Sequence, residues 1–314
     1  MITLNNIFYT ILLIIFCRTV SFTQETVFSV LSSKGGVQVK QSADWQPIRT
    51  GGKISTQDKI KLSGNGYLAL AHIKGKTLEL KKAGEYDVST LINMLSKNDA
   101  SFNQKFVSYV SNEITGGKST KKMTMLGAVS RAASVSVDIA VPNSSSFLDG
   151  KIKLSWYKLH SDAGFIFRII NPNDQTIFME ELKDTSMVID MEDFKVDRGL
   201  RYHWIVSSAA NENLSSGKNA LTLLTKSAGS AIADTIALLK KENADTESPL
   251  NNYLIAKYYE SVGLNFDAVK YFEKSAKLAP DNSLYVNEYL RFLKDSGCRT
   301  DADEVNNILG KVVE

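Results

Sequence analysis

Between Glu25 and Val88 the chain alternates apolar and polar residues in short runs, and a turn signal closes nearly every run. Val37-Gln38-Val39-Lys40, Ile60-Lys61-Leu62 and Leu78-Glu79-Leu80 are such runs. Lys34-Gly35-Gly36, Gly51-Gly52, Ser63-Gly64-Asn65-Gly66, Lys74-Gly75-Lys76 and Ala83-Gly84 separate them. A period of two puts alternate side chains on opposite faces of a strand. Strands that turn every 8–12 residues or so bury their apolar faces in a small barrel or sandwich. The same grammar returns from Leu148 to Thr225. Six strands are expected there, at Lys151–Ser155, Gly164–Ile170, Thr176–Glu180, Ser186–Ile189, Tyr202–Val206 and Ala220–Leu224. So many short strands in so little chain predict a β-sandwich. Alternation places Tyr202, Trp204 and Val206 on one face of the fifth strand and His203 and Ile205 on the other.

The 314 residues carry 37 Lys plus Arg against 34 Asp plus Glu, a formal charge of +3. That balance gives no electrostatic footprint for nucleic acid. Two cysteines exclude a disulfide-stapled scaffold and a multi-cysteine zinc module. The apolar run Ile7–Phe16 is about half of the ~20 residues that a membrane span needs, and it fits the core of a secretory signal peptide. Ser21-Phe22-Thr23 before Gln24 reads as the cleavage site. No Lys or Arg precedes the run, and Phe16 stands where a lipobox before Cys17 would need a small residue. Cleavage leaves Cys298 as the sole thiol, expected to serve as a small apolar residue beside Gly297.

Three regions resemble known families. Val37-Gln38-Val39 leads to Trp45-Gln46-Pro47-Ile48, then to the hairpin Gly51-Gly52-Lys53-Ile54-Ser55-Thr56-Gln57-Asp58-Lys59-Ile60. Gly66-Tyr67-Leu68-Ala69-Leu70 and Gly75-Lys76-Thr77-Leu78-Glu79-Leu80 follow. This order resembles the FecR domain, with its W-x-P-L strand, G-x-x-L-x-x-G-D-x-I hairpin and two glycine-led strands; Gln57 stands where the family usually has Gly. The resemblance implies a bacterial domain outside the cytoplasmic membrane, named for regulators that relay iron-uptake signals, here in a secreted chain. Leu154-Ser155-Trp156 and Gly199-Leu200-Arg201-Tyr202-His203-Trp204-Ile205-Val206 resemble a fibronectin type III or Ig-like sandwich, which implies a tyrosine-corner role for Tyr202.

The third region is helical. Ala231–Lys241 is amphipathic, with Ile232, Ile236 and Leu239 on one face. Asn252 to Pro280 resembles a tetratricopeptide repeat: Ala256 and Ala268 are the small contact positions, Gly263 makes the turn and Pro280 ends the second helix. Gly297 and Ala302 follow Gly263 and Ala268 at the repeat's period of about 34, whereas Leu290 replaces Ala256.

The expected fold class is therefore multidomain. It comprises a signal peptide (1–23), a small FecR-like β domain (24–88), a helical segment and linker (89–147), an Ig/fibronectin-like β-sandwich (148–226) and a C-terminal all-α tetratricopeptide-like repeat region (227–314). In the linker, Ser89 opens a helix, and Phe102, Phe106, Val107 and Val110 line a helix face expected to pack on the first β region. Gly116-Gly117-Lys118-Ser119 resembles the end of a phosphate-binding loop, but Asn112 occupies the position of that motif's first glycine. Pro142-Asn143-Ser144-Ser145-Ser146 marks the next boundary by composition.

No nucleophile–base pair or H-E-x-x-H motif is present, so no enzyme, cofactor or metal site is expected. His72, His160 and His203 lack ligand-spaced neighbours. Glu180-Glu181, and Asp190 with Glu192, read as surface acids. Trp156 and Trp204 are expected in a core, the alternative being a stacking platform of a carbohydrate-binding module. The function expected is that of a non-catalytic protein-binding or scaffolding protein of a bacterial envelope, linked to envelope signalling. Its partner would be another envelope protein, self-association being a further option, with no nucleic acid and no membrane span after signal cleavage. If the repeat has a binding lane, it is Tyr253, Lys257 and Glu260 on one helix and Asn287, Arg291 and Lys294 on another. Such a lane would take an acidic segment or a chain-terminal carboxylate through charge-assisted hydrogen bonds. Charge reversal at Lys257 and Arg291 would then leave the melting temperature nearly unchanged.

Overall fold

The computed structural model describes residues 25–41, 43–95, 101–114, 137–148, 151–158, 164–242 and 247–312. The expected signal peptide, the Lys118 loop and His160 lie outside the described residues. Two compact units divide the chain, Met1–Asp99 and Ala100–Glu314.

The first unit runs β1 (Thr26–Lys34), β2 (Val37–Lys40), β3 (Trp45–Pro47), β4 (Lys53–Ser55), β5 (Lys59–Leu62), β6 (Tyr67–His72), β7 (Thr77–Leu80), β8 (Gly84–Asp87) and helix α1 (Val88–Met94). Two four-stranded antiparallel sheets result, in the orders β4-β1-β6-β7 and β3-β2-β5-β8. Alternation does the sorting. On β5, Ile60 and Leu62 enter the core, while Lys59 and Lys61 face out beside Asp87 and Glu85 of β8. Phe28, Val30, Ile54, Leu68 and Leu70 are among the other residues of that core, and Leu91 of α1 joins it. Gly35 turns β1 into β2 at φ +70°, and a Cβ there would meet the Asn65 carbonyl oxygen at 2.4 Å. The buried Asp58 closes the hairpin between β4 and β5 by accepting the Ser55 N–H at 2.7 Å.

The second unit begins with helix α2 (Ser101–Ile114), followed by β9 (Ser144–Phe147), β10 (Lys151–Ser155), β11 (Phe165–Ile170), β12 (Thr176–Leu182), β13 (Ser186–Asp190), β14 (Arg201–Ser208) and β15 (Asn219–Leu223). A five-stranded sheet, β12-β11-β14-β15-β9, and the pair β10-β13 enclose one core. Every pairing is antiparallel except β15 with β9. Trp156, Phe167 and Trp204 stack at its centre, with Phe167 6.0 Å from each indole. Tyr202 is buried, and its hydroxyl accepts the Asp197 N–H at 3.0 Å, closing the corner before β14.

The sandwich starts earlier than composition suggests. Val137 and Ile139 are buried in its core, Ile139 bridges Trp156, and the serine run that reads as a linker is the edge strand β9. Helices α3 (Lys226–Glu242), α4 (Pro249–Ser261), α5 (Asn265–Leu278), α6 (Ser283–Asp295) and α7 (Arg299–Val312) follow. Their turns explain the serines. Gly263 and Gly297 both adopt positive φ, 75° and 81°. The Gly263 carbonyl accepts the Ser146 N–H at 2.8 Å, and the Ser296 carbonyl accepts the Asn143 N–H at 2.8 Å. Asn265 donates to the Ser144 carbonyl at 2.7 Å, and Ser145 Oγ accepts the Phe266 N–H at 3.1 Å. An open strand edge would leave such backbone groups unpaired; here the helical turns pair them. Among the described residues, no helix is long and apolar enough to cross a membrane.

Candidate functional site

The face built by α4 and α6 carries the residues that spacing singles out. Positions 253, 257 and 260 fall three or four apart on α4, as do 287, 291 and 294 on α6, so each set shares one side of its helix. Ser248 starts α4, its hydroxyl accepting the Asn251 N–H at 3.0 Å, with Pro249 in the first turn. Asn282 starts α6 in the same way by accepting the Leu284 N–H.

Three of the six meet. Lys257 Nζ lies 3.0 Å from Glu260 Oε2 and 3.6 Å from Glu288 Oε2, with only 6% of its side chain exposed. Arg291 holds both Glu260 oxygens, at 2.9 and 3.0 Å, and reaches Glu288 at 3.3 Å and Asp295 at 2.9 Å. Tyr253 is not a lane residue. It is buried, with its ring against Phe272 and Tyr285 in an aromatic layer, and the small Ala256 and Ala268 are buried on the same helices α4 and α5. Asn287 and Lys294 are exposed and outside the cluster.

The third acid on Lys257 comes from far along the chain. Glu113 Oε2 of α2 lies 2.9 Å from Nζ. Helix α2 was expected to pack on the first β region; it packs in the second unit, on α4. Phe106 meets Tyr258 edge-on at 5.7 Å, and Val107 and Val110 are buried beside it; the side chain of Phe102 lies outside the described residues. The Tyr109 hydroxyl donates to Glu113 Oε1 at 2.9 Å and so aims the other oxygen at Lys257. Burial and the neighbouring Arg291 pull the Lys257 ammonium down; Glu260, Glu288 and Glu113 outweigh them and hold it above the usual lysine range. Burial likewise opposes the Arg291 charge, and Glu260 and Glu288 more than restore it.

Two expectations change as a result. The lane is not a vacant cationic groove: Lys257 and Arg291 face Glu113, Glu260, Glu288 and Asp295, and the helix that brings Glu113 is the chain's own. The lane is not a solvated face either, so reversing its cations cannot be neutral. Glu288 was missed although it lies three residues before Arg291 on the same helix, a readable pairing. Glu113 had no local signal.

The other candidates hold structural posts. Trp156 and Trp204 are 2% and 0% exposed, which removes them as a glycan-stacking platform. Asp190 accepts the Glu192 N–H at 3.0 Å, Glu192 pairs with Arg198, and Glu180 and Glu181 are exposed. His72 Nδ1 accepts the Lys74 N–H at 3.1 Å, and burial, followed by Lys74 and Lys76, lowers its pKa. Burial, then Lys218 and Arg201, lowers that of His203. Cys298 is buried, and burial pushes its thiol up to about 12. Among the described residues, no group of three or more His, Cys, Asp or Glu could hold a metal ion.

No protein-family model matches the chain, and no curated protein sequence does. Among solved structures it has a faint likeness to a β-1,2-glucanase from Parabacteroides distasonis, at 10% identity and TM-score 0.21, over 45% of this chain and 24% of that one. A second likeness is to the FN1–FN3 domains of chicken CNTN1, at 12% identity and TM-score 0.22, over 64% of this chain and 55% of that one. The chain thus spans less than two thirds of either, and likeness at this level assigns neither fold family nor function.

Proposed function

We propose that this chain is a non-catalytic, extracytoplasmic protein-binding or scaffolding protein of a bacterial envelope, assembled from FecR-like, fibronectin-like and tetratricopeptide-like modules. One observation carries the reading. The α4/α6 face holds a separate amphipathic helix, α2, whose Glu113 pairs with the buried Lys257. A helical array that recognises a helix by shape and charge is chemically a protein-binding surface. The Tyr202–Asp197 corner bond supports the fibronectin-like module, and the equivalent turns at Gly263 and Gly297 support the repeat. The Ile7–Phe16 run supports export.

Mass spectrometry of the native protein tests the compartment. A mature N-terminus near Gln24 outside the cytoplasm is expected, and intact Met1 in the cytoplasm would overturn that part. Photo-crosslinking in intact cells from exposed positions, with Asn287 and Lys294 as sites, tests the binding role. One envelope protein should be recovered in stoichiometric yield; labelling no richer than that of a sandwich-surface control site refutes it.

A further inference from the structure

We propose that α2 is an internal ligand of the α4/α6 face, and that this face binds a partner protein's amphipathic helix in exchange for it. The partner helix carries the same pattern: an aromatic residue followed by an apolar one, an apolar residue at i+4, and Glu at i+7. The proposal rests on the protein-binding reading above and names the partner's chemistry.

The pattern comes from α2 itself. Phe106, Val107 and Val110 are its buried apolar contacts, and Glu113, one turn beyond Val110, places its carboxylate on Lys257. These positions share one helix face. Tyr109, on the exposed side of the helix at 38% exposure, orients that carboxylate. Charge sets the selection. A helix with Lys in place of Glu113 would set a second ammonium against Lys257 Nζ, which Glu113 Oε2 meets at 2.9 Å, and one with a neutral residue there would forgo that short ion pair in a poorly hydrated site.

Exchange is feasible because the receiving face is complete without α2. Lys257 keeps Glu260 and Glu288, Arg291 keeps Glu260, Glu288 and Asp295, and the aromatic layer of Tyr253, Phe272 and Tyr285 belongs wholly to the array. Departure of α2 removes one carboxylate and uncovers Tyr258, but orphans no buried cation. A ligand for a site mostly occupied in cis binds more weakly by the fraction of sites that are open. Weakening α2 therefore raises affinity for a helix added in trans.

The test uses the full chain and a fluorescent synthetic peptide of Ser101–Ile114, followed by anisotropy. A Phe106→Ala, Val110→Ala chain should bind the peptide at least about tenfold more tightly than the wild-type chain. A Glu113→Lys peptide should bind the weakened chain at least about tenfold less tightly. Adding Lys257→Met to that chain should abolish its preference for Glu113 over Glu113→Gln peptides. If the double variant does not fold, the chain with Glu113→Gln alone provides the comparison, with an intermediate gain. Absence of binding, or binding indifferent to Lys257, overturns the proposal. So does a concentration-dependent wild-type dimer whose crosslinks join Glu113 of one copy to Lys257 of another, because the occupant would then be a second copy. None of these readouts depends on the compartment, so failure of export and failure of this proposal are told apart.

Discussion

The second unit contains two well-buried clusters built on opposite physics. In the sandwich, Trp156, Phe167 and Trp204 stack in an apolar core. On the α4/α6 face, Lys257 is nearly as inaccessible, yet its neighbours are carboxylates from three helices. The first cluster is stabilised by area removed from water, a non-directional gain that many apolar arrangements satisfy. The second is held by complementary charge. Desolvation offsets much of its Coulombic gain, so its contribution lies in selecting what sits there. One cluster maintains a domain; the other recognises a helix.

The sharpest way to break this contrast is Lys257→Glu with Arg291→Glu. Reversing both cations places like charges among Glu113, Glu260 and Glu288. The expected loss is at least the 3–5 kcal/mol or so that follows breaking a buried ion pair. A denaturant midpoint close to wild type would mean the cluster is a solvated face after all. Its complement is Lys257→Met with Glu113→Leu. Removing both partners should cost clearly less than Lys257→Met alone, because no uncompensated charge is left from that pair.

Trp204→Ala should destabilise by about 3–5 kcal/mol through the cavity it leaves. Trp204→Phe should cost much less, since the indole N–H finds no hydrogen-bond partner among the described residues and its removal strands nothing. Equal losses for the two variants would show that the sandwich core is as specific as the charged face.

Tyr202→Phe removes the acceptor of the Asp197 N–H and should cost roughly 1–3 kcal/mol. Gly297→Ala should cost a similar 1–3 kcal/mol or so: φ is +81° there, and the new Cβ would lie 2.8 Å from the side chain of Asn143, whose backbone N–H bonds the Ser296 carbonyl. Circular-dichroism melts measure both. The smallest effect is chemical. With its thiol pushed up to about 12, Cys298 is almost wholly protonated at pH 8, so a thiol reagent should label the native chain far more slowly than the unfolded one. Equal rates would place Cys298 at the surface.

Legibility differs between the clusters for the same reason. The sandwich core could be read because Tyr202, Trp204 and Val206 alternate within one strand, and a period of two dictates a shared face whatever the partner. Helix α2 could be read as a helix from Phe106, Val107 and Val110, but not where it docks. Its apolar face fits any apolar surface, and only Glu113 on Lys257 distinguishes α4 from the others. The serine run Ser144–Ser146 misled for a related reason: polar residues signal a linker unless something accepts and supplies their hydrogen bonds, and that something is the pair of turns at Gly263 and Ser296.

What the sequence by itself determined is therefore what nearest-neighbour geometry dictates: strand faces, the turn glycines Gly35, Gly263 and Gly297, and the small buried positions Ala256 and Ala268. Tertiary structure alone decided that Glu113 reaches Lys257, the seat of α2 and the pairing of β9 with the helical turns. Glu113 on Lys257 and the β9 contacts join residues more than a hundred positions apart. They depend on Coulomb and hydrogen-bond distances of about 3 Å, which no periodicity along the chain encodes.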